Sequence, residues 1–194
     1  AVLRRLVGAQ VAVTRSDILR HAPPAGPYDL VCNVPFHLTT PVLRRLLTLD
    51  GWRRAVLLTQ WEVARKRAGV GGTTLLTAQW WPWHSFTLDR RVPADAFDPR
   101  PSVDGGLLVL DRRARPLLCA SQRRRYQDFV AAVFTGRGQG VADVMRRRGV
   151  PRTAVAAWCR AHYVRERSLP RDLSAQAWVD AFHAYGASRA CRTH

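Results

Sequence analysis

Asp29-Leu30-Val31-Cys32-Asn33-Val34-Pro35-Phe36 is a short apolar run that stops in an Asn and a Pro. Its first half reads as a buried strand and its second half as the turn that ends it. Thr40-Pro41 then opens a helix, with Thr40 as the expected N-cap, Pro41 at the first helical position, and Val42, Leu43, Leu46 and Leu47 at helical spacing. Ala55-Val56-Leu57-Leu58 is the next buried strand, and helical residues follow it to about Arg67. Strand, helix, strand in this order predicts a parallel α/β sheet. Ligands of such sheets sit just beyond the carboxyl ends of the strands. Asn33-Val34-Pro35-Phe36 therefore stands where a ligand belongs, although Asn and Pro are also common in plain turns.

Working outward, Ala1 to Val7 reads as the end of a helix and Val11 to Thr14 as a short strand closed by Ser16-Asp17. His21 to Pro27 is a Pro-rich loop. Gly69 to Gly72 breaks the chain, Thr74 to Trp81 is helical, and Ser85 to Val92 and Gly106 to Leu110 form an antiparallel end to the sheet. Beyond about Gln122 only helices are expected: a stripe of Tyr126, Phe129, Val130 and Val133, a basic helix at Val141 to Arg148, and two more near Thr153 to His162 and Ser174 to Tyr185. Ser121 and Ser174 are candidate caps. The reading divides the chain into an α/β domain over 1–118 and a small all-α domain over 119–194.

Composition narrows the partners. The formal charge is +17, from 31 Lys and Arg against 14 Asp and Glu, and Lys66 is the one lysine. Arginine's planar fork suits phosphate and stacks on bases, so a polyanion, nucleic acid first, is the expected partner. Residues 111–194 carry 17 Arg against 6 acids, and residues 1–110 carry 14 bases against 8, so the helical part is the better candidate for gripping phosphates. Arg123, Arg124, Arg125, Arg137, Arg146, Arg147 and Arg148 are the candidate contacts; the same runs are also what solvated helix faces look like. Nothing approaches the roughly 18 apolar residues of a membrane span. Ala1 to Arg15 lacks the long apolar segment of a signal peptide. Cys32, Cys119, Cys159 and Cys191 form no C-x-x-C pair and the six histidines no ligand spacing, so neither metal nor disulfide is expected. A cytoplasmic monomer without a membrane partner fits these features.

Several segments, in order, carry a resemblance. Asn33-Val34-Pro35-Phe36 is similar to the Asn-(Ile, Leu or Val)-Pro-(Phe or Tyr) signature of the enzymes that methylate adenine in ribosomal RNA. Ser16-Asp17-Ile18-Leu19 resembles their Gly-Asp-x-Leu segment, with Ser for Gly. Gln60-x-Glu62-x-Ala64-x-Lys66 resembles the Gln-x-Glu-x-Ala-x-Arg helix. Phe97-Asp98-Pro99-Arg100-Pro101-Ser102-Val103-Asp104 resembles the Phe-x-Pro-x-Pro-x-Val-Asp element. Phe36, Gln79-Trp80-Trp81-Pro82-Trp83 and Phe134-Thr135-Gly136-Arg137-Gly138 are similar to the Erm branch from actinobacteria. The chain thus resembles the greater part of an Erm-type 23S ribosomal RNA adenine N6-methyltransferase.

That resemblance implies a class I, Rossmann-like methyltransferase sheet followed by a helical domain, S-adenosylmethionine as cofactor, 23S ribosomal RNA as substrate, and resistance to macrolide, lincosamide and streptogramin B antibiotics. It assigns Asp17 and Asn33 to the cofactor, Asn33, Val34, Pro35 and Phe36 to the reacting amine, and Phe36 with Phe97 to the target base. The chemistry is coherent. The lone pair of an adenine N6 amine is delocalised into the ring, and two acceptors on its hydrogens, the Asn33 side-chain oxygen and the Val34 carbonyl, would favour a pyramidal, nucleophilic nitrogen. Pro35 holds Val34 extended, and Phe36 could stack on an extruded base. Without the family, Asp17 reads equally as a turn cap, Phe97 and the Trp80, Trp81, Trp83 cluster as packing, and Glu62 as an ion-pair partner. The family's Gly-rich turn and ribose-binding acid are not found in these 194 residues, so the sheet is expected to be incomplete at its N-terminal side, with at least one βαβ unit upstream. The alternatives are a small-subunit ribosomal RNA adenine dimethyltransferase and a non-catalytic RNA-binding remnant.

Overall fold

Among the described residues four strands form one sheet: β1 (Tyr28–Asn33), β2 (Trp52–Gln60), β3 (His84–Val92) and β4 (Gly105–Arg112), in the order β1-β2-β4-β3. The computed structural model describes the backbone of residues 11–190 and the side chains up to residue 187. The expected helix end at Ala1 to Val7 and Cys191 lie outside the described residues. β1 and β2 are parallel, whereas β4 runs antiparallel to both β2 and β3. The parallel pair with an antiparallel end is the expected arrangement. Among the described residues the chain is α/β over its first part and helical after β4, with seven α-helices: α1 (Thr39–Thr48), α2 (Trp61–Arg67), α3 (Leu75–Trp80), α4 (Arg123–Phe134), α5 (Val141–Arg147), α6 (Arg152–Ala161) and α7 (Ala175–Ala190).

Alternation along the strands sorts the sheet into two faces. Ala55, Leu57 and Thr59 of β2 lie beside Leu110, Leu108 and Gly106 of β4, and all six are buried. Leu43, Leu46 and Leu47 of α1 belong to the same core; the Trp52 indole donates to the Leu46 carbonyl at 2.9 Å and the Thr39 hydroxyl meets that of Thr59 at 2.7 Å. The second face carries Val56, Leu58, Leu107 and Val109, all half-buried, and Val31, which is 84% exposed. Among the described residues the outer edge of β1 pairs with no strand.

Three local expectations are corrected. Val11 to Thr14 is not a strand: no described strand offers it a ladder, and an extended segment needs one. Thr40 is not the cap of α1. A 3₁₀ turn over Phe36–Leu38 runs directly into the helix, Thr39 is its first residue, and Pro41 stands third, still within the first turn. Ser121 lies inside another 3₁₀ turn and caps nothing, whereas Ser174 accepts from the Ala177 amide at 3.2 Å as expected.

Aromatic rings join the helical part to the sheet. Trp83 meets Tyr126 edge-on, Tyr126 meets Phe182, and Phe182 and Trp178 both meet Phe129. Tyr126 is fully buried and its hydroxyl donates to the Ala78 carbonyl at 2.9 Å. The Trp80, Trp83 pair therefore packs this seam. The Trp158 indole ties α6 to α7 by donating to Ala177 at 2.8 Å.

Candidate active site

The loop after β1 is held from both sides. Val34, 1% exposed, donates its amide to the Leu58 carbonyl at 3.0 Å and so carries the ladder one residue past the strand. Pro35 then turns the chain at φ −53° and ψ 131°. The Leu38 amide closes the next turn on the Pro35 carbonyl at 2.8 Å, and the Thr39 hydroxyl donates to the Phe36 carbonyl at 3.1 Å. Thr39 and its partner Thr59 are buried, so a short hydroxyl pair roots the loop in the core. Asn33 is exposed, and its carboxamide hydrogen-bonds no described residue.

Register brings a distant residue to the same place. Asn33 pairs with Leu58, and paired residues project to one face of the sheet. The Phe97 ring lies against Gly105, whose added Cβ would stand 3.1 Å from both that ring and the Leu58 side chain. Asn33, Leu58 and Phe97 thus share the second face at the carboxyl edge of β1 and β2. A side chain at Gly105 would push the ring away. Asp104 clasps the loop that bears Phe97: its carboxylate accepts from the Ala94 amide at 2.9 Å and pairs with Arg91, and its carbonyl accepts from the Trp61 amide at 2.9 Å. The Ala94 amide first, and Arg91 second, hold its pKa below the usual carboxylate range.

Other residues singled out by sequence have settled positions. The Asp17 carboxylate accepts from the Leu19 amide at 2.9 Å and caps its own turn; it makes no hydrogen bond to the Asn33 loop. That turn is tied to α1, where Arg45 donates to the His21 carbonyl at 2.7 Å. Glu62 pairs with Arg65 at 2.9 Å, the ion-pair role weighed for it. An apolar hollow of about 330 Å³ runs along the outer edge of β1, lined by Ile18, Pro23, Tyr28, Val31, Val42 and Leu46 among others. It follows the length of the strand, not the carboxyl end where Asn33 stands.

The arginines divide. Arg124, Arg125 and Arg137 are exposed. Arg123 lies over the Trp80 and Trp83 rings at 5.2 and 5.4 Å, with its Nε buried and unbonded, and is committed to the seam. Arg146 pairs with Glu166 at 3.2 Å and Arg147 with Asp143 at 3.0 Å. Among the described residues no group of three or more His, Cys, Asp or Glu could hold a metal, and no helix is long and apolar enough to cross a membrane.

Residues 2–186 match the family described as ribosomal RNA adenine dimethylase. This chain belongs to that family. It is 50% identical over 183 residues to the mycinamicin-resistance protein MyrB of Micromonospora griseorubida, covering 94% of this chain and 58% of that protein. It is 52% identical over 141 residues to an rRNA adenine N-6-methyltransferase of Corynebacterium diphtheriae, covering 73% of this chain and 56% of the relative. The crystal structure of the 23S rRNA methyltransferase ErmE superposes with a TM-score of 0.81 at 30% identity, over 88% of this chain and 70% of that one. The expected membership and the Rossmann-like methyltransferase fold are therefore established, and the chain spans a little over half the length of these curated relatives. Its Asn33-Val34-Pro35-Phe36 loop and Phe97 lie at one edge of the sheet.

Proposed function

We propose that the protein carrying this chain transfers methyl groups from S-adenosylmethionine to N6 of an adenine in 23S ribosomal RNA, and so protects ribosomes from macrolide, lincosamide and streptogramin B antibiotics. The observation that carries this reading is the convergence of an unpartnered Asn33 carboxamide, the rooted Val34-Pro35-Phe36 loop and the Phe97 ring at one carboxyl edge. Asn33 and the Val34 carbonyl accept the two N6 hydrogens, while Phe36 and Phe97 hold the extruded base. No general base is needed, because the amine proton becomes acidic once the new carbon–nitrogen bond forms. The cofactor supplies an electrophilic methyl group; the exposed Asp17 carboxylate and the open Asn33 carboxamide fit its adenine side and its reacting end. The helical part, with Arg124, Arg125, Arg137, Arg146, Arg147 and Arg148, contributes to holding RNA, and residues 1–118 and 119–194 act as methyltransferase and RNA-binding parts of one cytoplasmic monomer.

The test is methyl incorporation into unmodified 23S ribosomal RNA by the whole protein, mapped by primer extension and nucleoside analysis. The reading expects N6-methyladenine at one site of the large-subunit RNA. Methylation of small-subunit RNA instead, or RNA binding with no transfer, would replace it.

A further inference from the structure

Arg67, the last residue of α2, is half-buried, yet no acid neutralises it among the described residues. Its guanidinium is held by two hydroxyls, donating to Thr74 Oγ1 at 2.8 Å and to Thr40 Oγ1 at 3.0 Å. Burial, and then the charge of Arg44, push its pKa down. Hydroxyls orient a cation but do not neutralise it, and a cation withdrawn from water beside a second cation is unfavourable until an anion arrives. Arg44 is exposed and forms no ion pair among the described residues. Of the other half-buried arginines, Arg65 and Arg146 face carboxylates, Arg45 and Arg113 donate to backbone carbonyls, and Arg123 lies over two indoles; Arg67 is the one held by hydroxyls beside a second cation among the described residues.

The surroundings have the shape of a binding cleft. Thr40, Arg44 and Thr48 stand four residues apart and form one stripe of α1. Leu75, Leu76 and Gln79 of α3 face them across a cleft of about 480 Å³, with Arg67 and Thr74 beside them. Thr40 follows Phe36 by four residues, so the cleft leads away from the loop assigned to the target base. Four residues of helix advance by about 6 Å, which sets Arg44 roughly one step along the cleft from Thr40.

We propose that this α1–α3 cleft seats a backbone phosphate of the RNA strand next to the target adenine, with the Arg67 and Arg44 guanidinium groups as its clasp. The proposal rests on the reading of the chain as an RNA-modifying enzyme and adds to it a phosphate site on the α/β part. Two guanidinium forks present the paired donors that phosphate oxygens accept. The chain's excess of 17 positive charges favours a polyanion over an isolated anion. Arg67 is already oriented by its threonines, so little side-chain freedom is lost when the phosphate binds.

The test is the affinity of the whole protein for a short RNA hairpin containing the target adenine, measured by anisotropy across a series of salt concentrations. Arg44→Gln is the first variant, because Arg44 is exposed and forms no hydrogen bond or ion pair among the described residues. Arg67→Gln is the second. Arg53→Gln is the control, since Arg53 lies at the amino end of β2, is paired with Asp29 and stands at the opposite edge of the sheet. Each cleft variant is expected to weaken binding and to flatten log affinity against log salt by up to about 0.7–0.9, the scale for one phosphate contact, while Arg53→Gln keeps the wild-type slope. Wild-type slopes in both cleft variants would overturn the phosphate seat and leave the enzymatic reading standing. Failure of the wild-type protein to bind the hairpin would overturn both.

Discussion

Replacing His84 by Phe is expected to remove a pH dependence from the stability of the fold. His84 opens β3, is 2% exposed, stacks on Trp52 with ring centroids 5.1 Å apart, and touches the Trp80 ring at 5.6 Å. Burial first, then Arg112, with Arg123 and Arg113 behind it, push its pKa from 6.5 to about 4; the Trp80 backbone pulls the other way and loses, and no well-formed hydrogen bond reaches either ring nitrogen. The imidazole is therefore neutral in the folded protein. Between pH 6.5 and about 4 the unfolded chain binds the proton more readily than the folded one, so stability is complete above this window and falls as pH is lowered through it. The loss is about 2 kcal/mol by pH ~5 and about 3 kcal/mol by pH ~4. Phe fills the same space, keeps a stack on Trp52 and needs no partner for a ring nitrogen, so it should match or exceed His at neutral pH. Urea unfolding of both proteins at about pH 7, 5 and 4 measures the gap, which should open as pH falls. Carboxylates with lowered pKa, such as Asp104 and Asp143, titrate in both proteins and cancel. Parallel stability curves across the window would refute the argument.

Asn33→Ala in the whole protein should lose on the order of 10²–10³ in methyl-transfer rate, the scale for one preorganised electrostatic contact; near-normal turnover on ribosomal RNA would sink the proposed role. Phe36→Tyr should retain activity and Phe36→Ala should not, since base–aromatic stacking is worth about 1–3 kcal/mol; equal activity of the two would show that the ring is no platform. Asp104→Ala should release the loop that bears Phe97, read as faster hydrogen exchange at the Ala94 amide, and unchanged protection there would remove the clasp. Neutralising Arg146, Arg147 and Arg148 together should flatten the salt dependence of RNA binding by less than three phosphate contacts' worth, each about 0.7–0.9, because Asp143 and Glu166 already engage two of them; a loss of slope equal to three full contacts would contradict this.

The strands and helices around the site were legible because local pattern and tertiary packing agree there. Asp29 to Cys32 and Ala55 to Leu58 are apolar runs that become neighbouring parallel strands, and Val42, Leu43, Leu46 and Leu47 form the buried stripe of α1. Starts and ends were less legible. Thr40-Pro41 has the residue types of a helix start, yet the 3₁₀ turn at Phe36–Leu38 supplies the first bonds and shifts the start to Thr39. Val11 to Thr14 has strand composition, but a strand is a property of a pair, and composition does not reveal whether a partner is at hand. That Phe97 and Asn33 belong to one site could be read from the family resemblance alone. In the structure it follows from the Asn33–Leu58 register and from the space left by Gly105, neither of which a pattern of residue types encodes.

Charge shows most clearly what a sequence count leaves out. The helical part has the larger excess of arginine, and on that ground it was the expected grip for RNA. A count treats every guanidinium alike, but the fold does not. Arg123 is spent on two indole faces, and Arg146 and Arg147 face carboxylates that an RNA phosphate would have to displace. Arg67 belongs to the less basic part and, among the described residues, has no acid to leave. Two neighbouring cations, one of them held only by hydroxyls, gain more from one phosphate than several cations already paired, because the anion brings the first favourable charge to the cleft rather than exchanging one for another. Phosphate binding should therefore follow the distribution of uncompensated charge and not the distribution of arginine. On the proposed reading, the α1–α3 cleft, which starts four residues after Phe36, is therefore better placed than the paired arginines of α5 to set the register of an RNA strand at the target base.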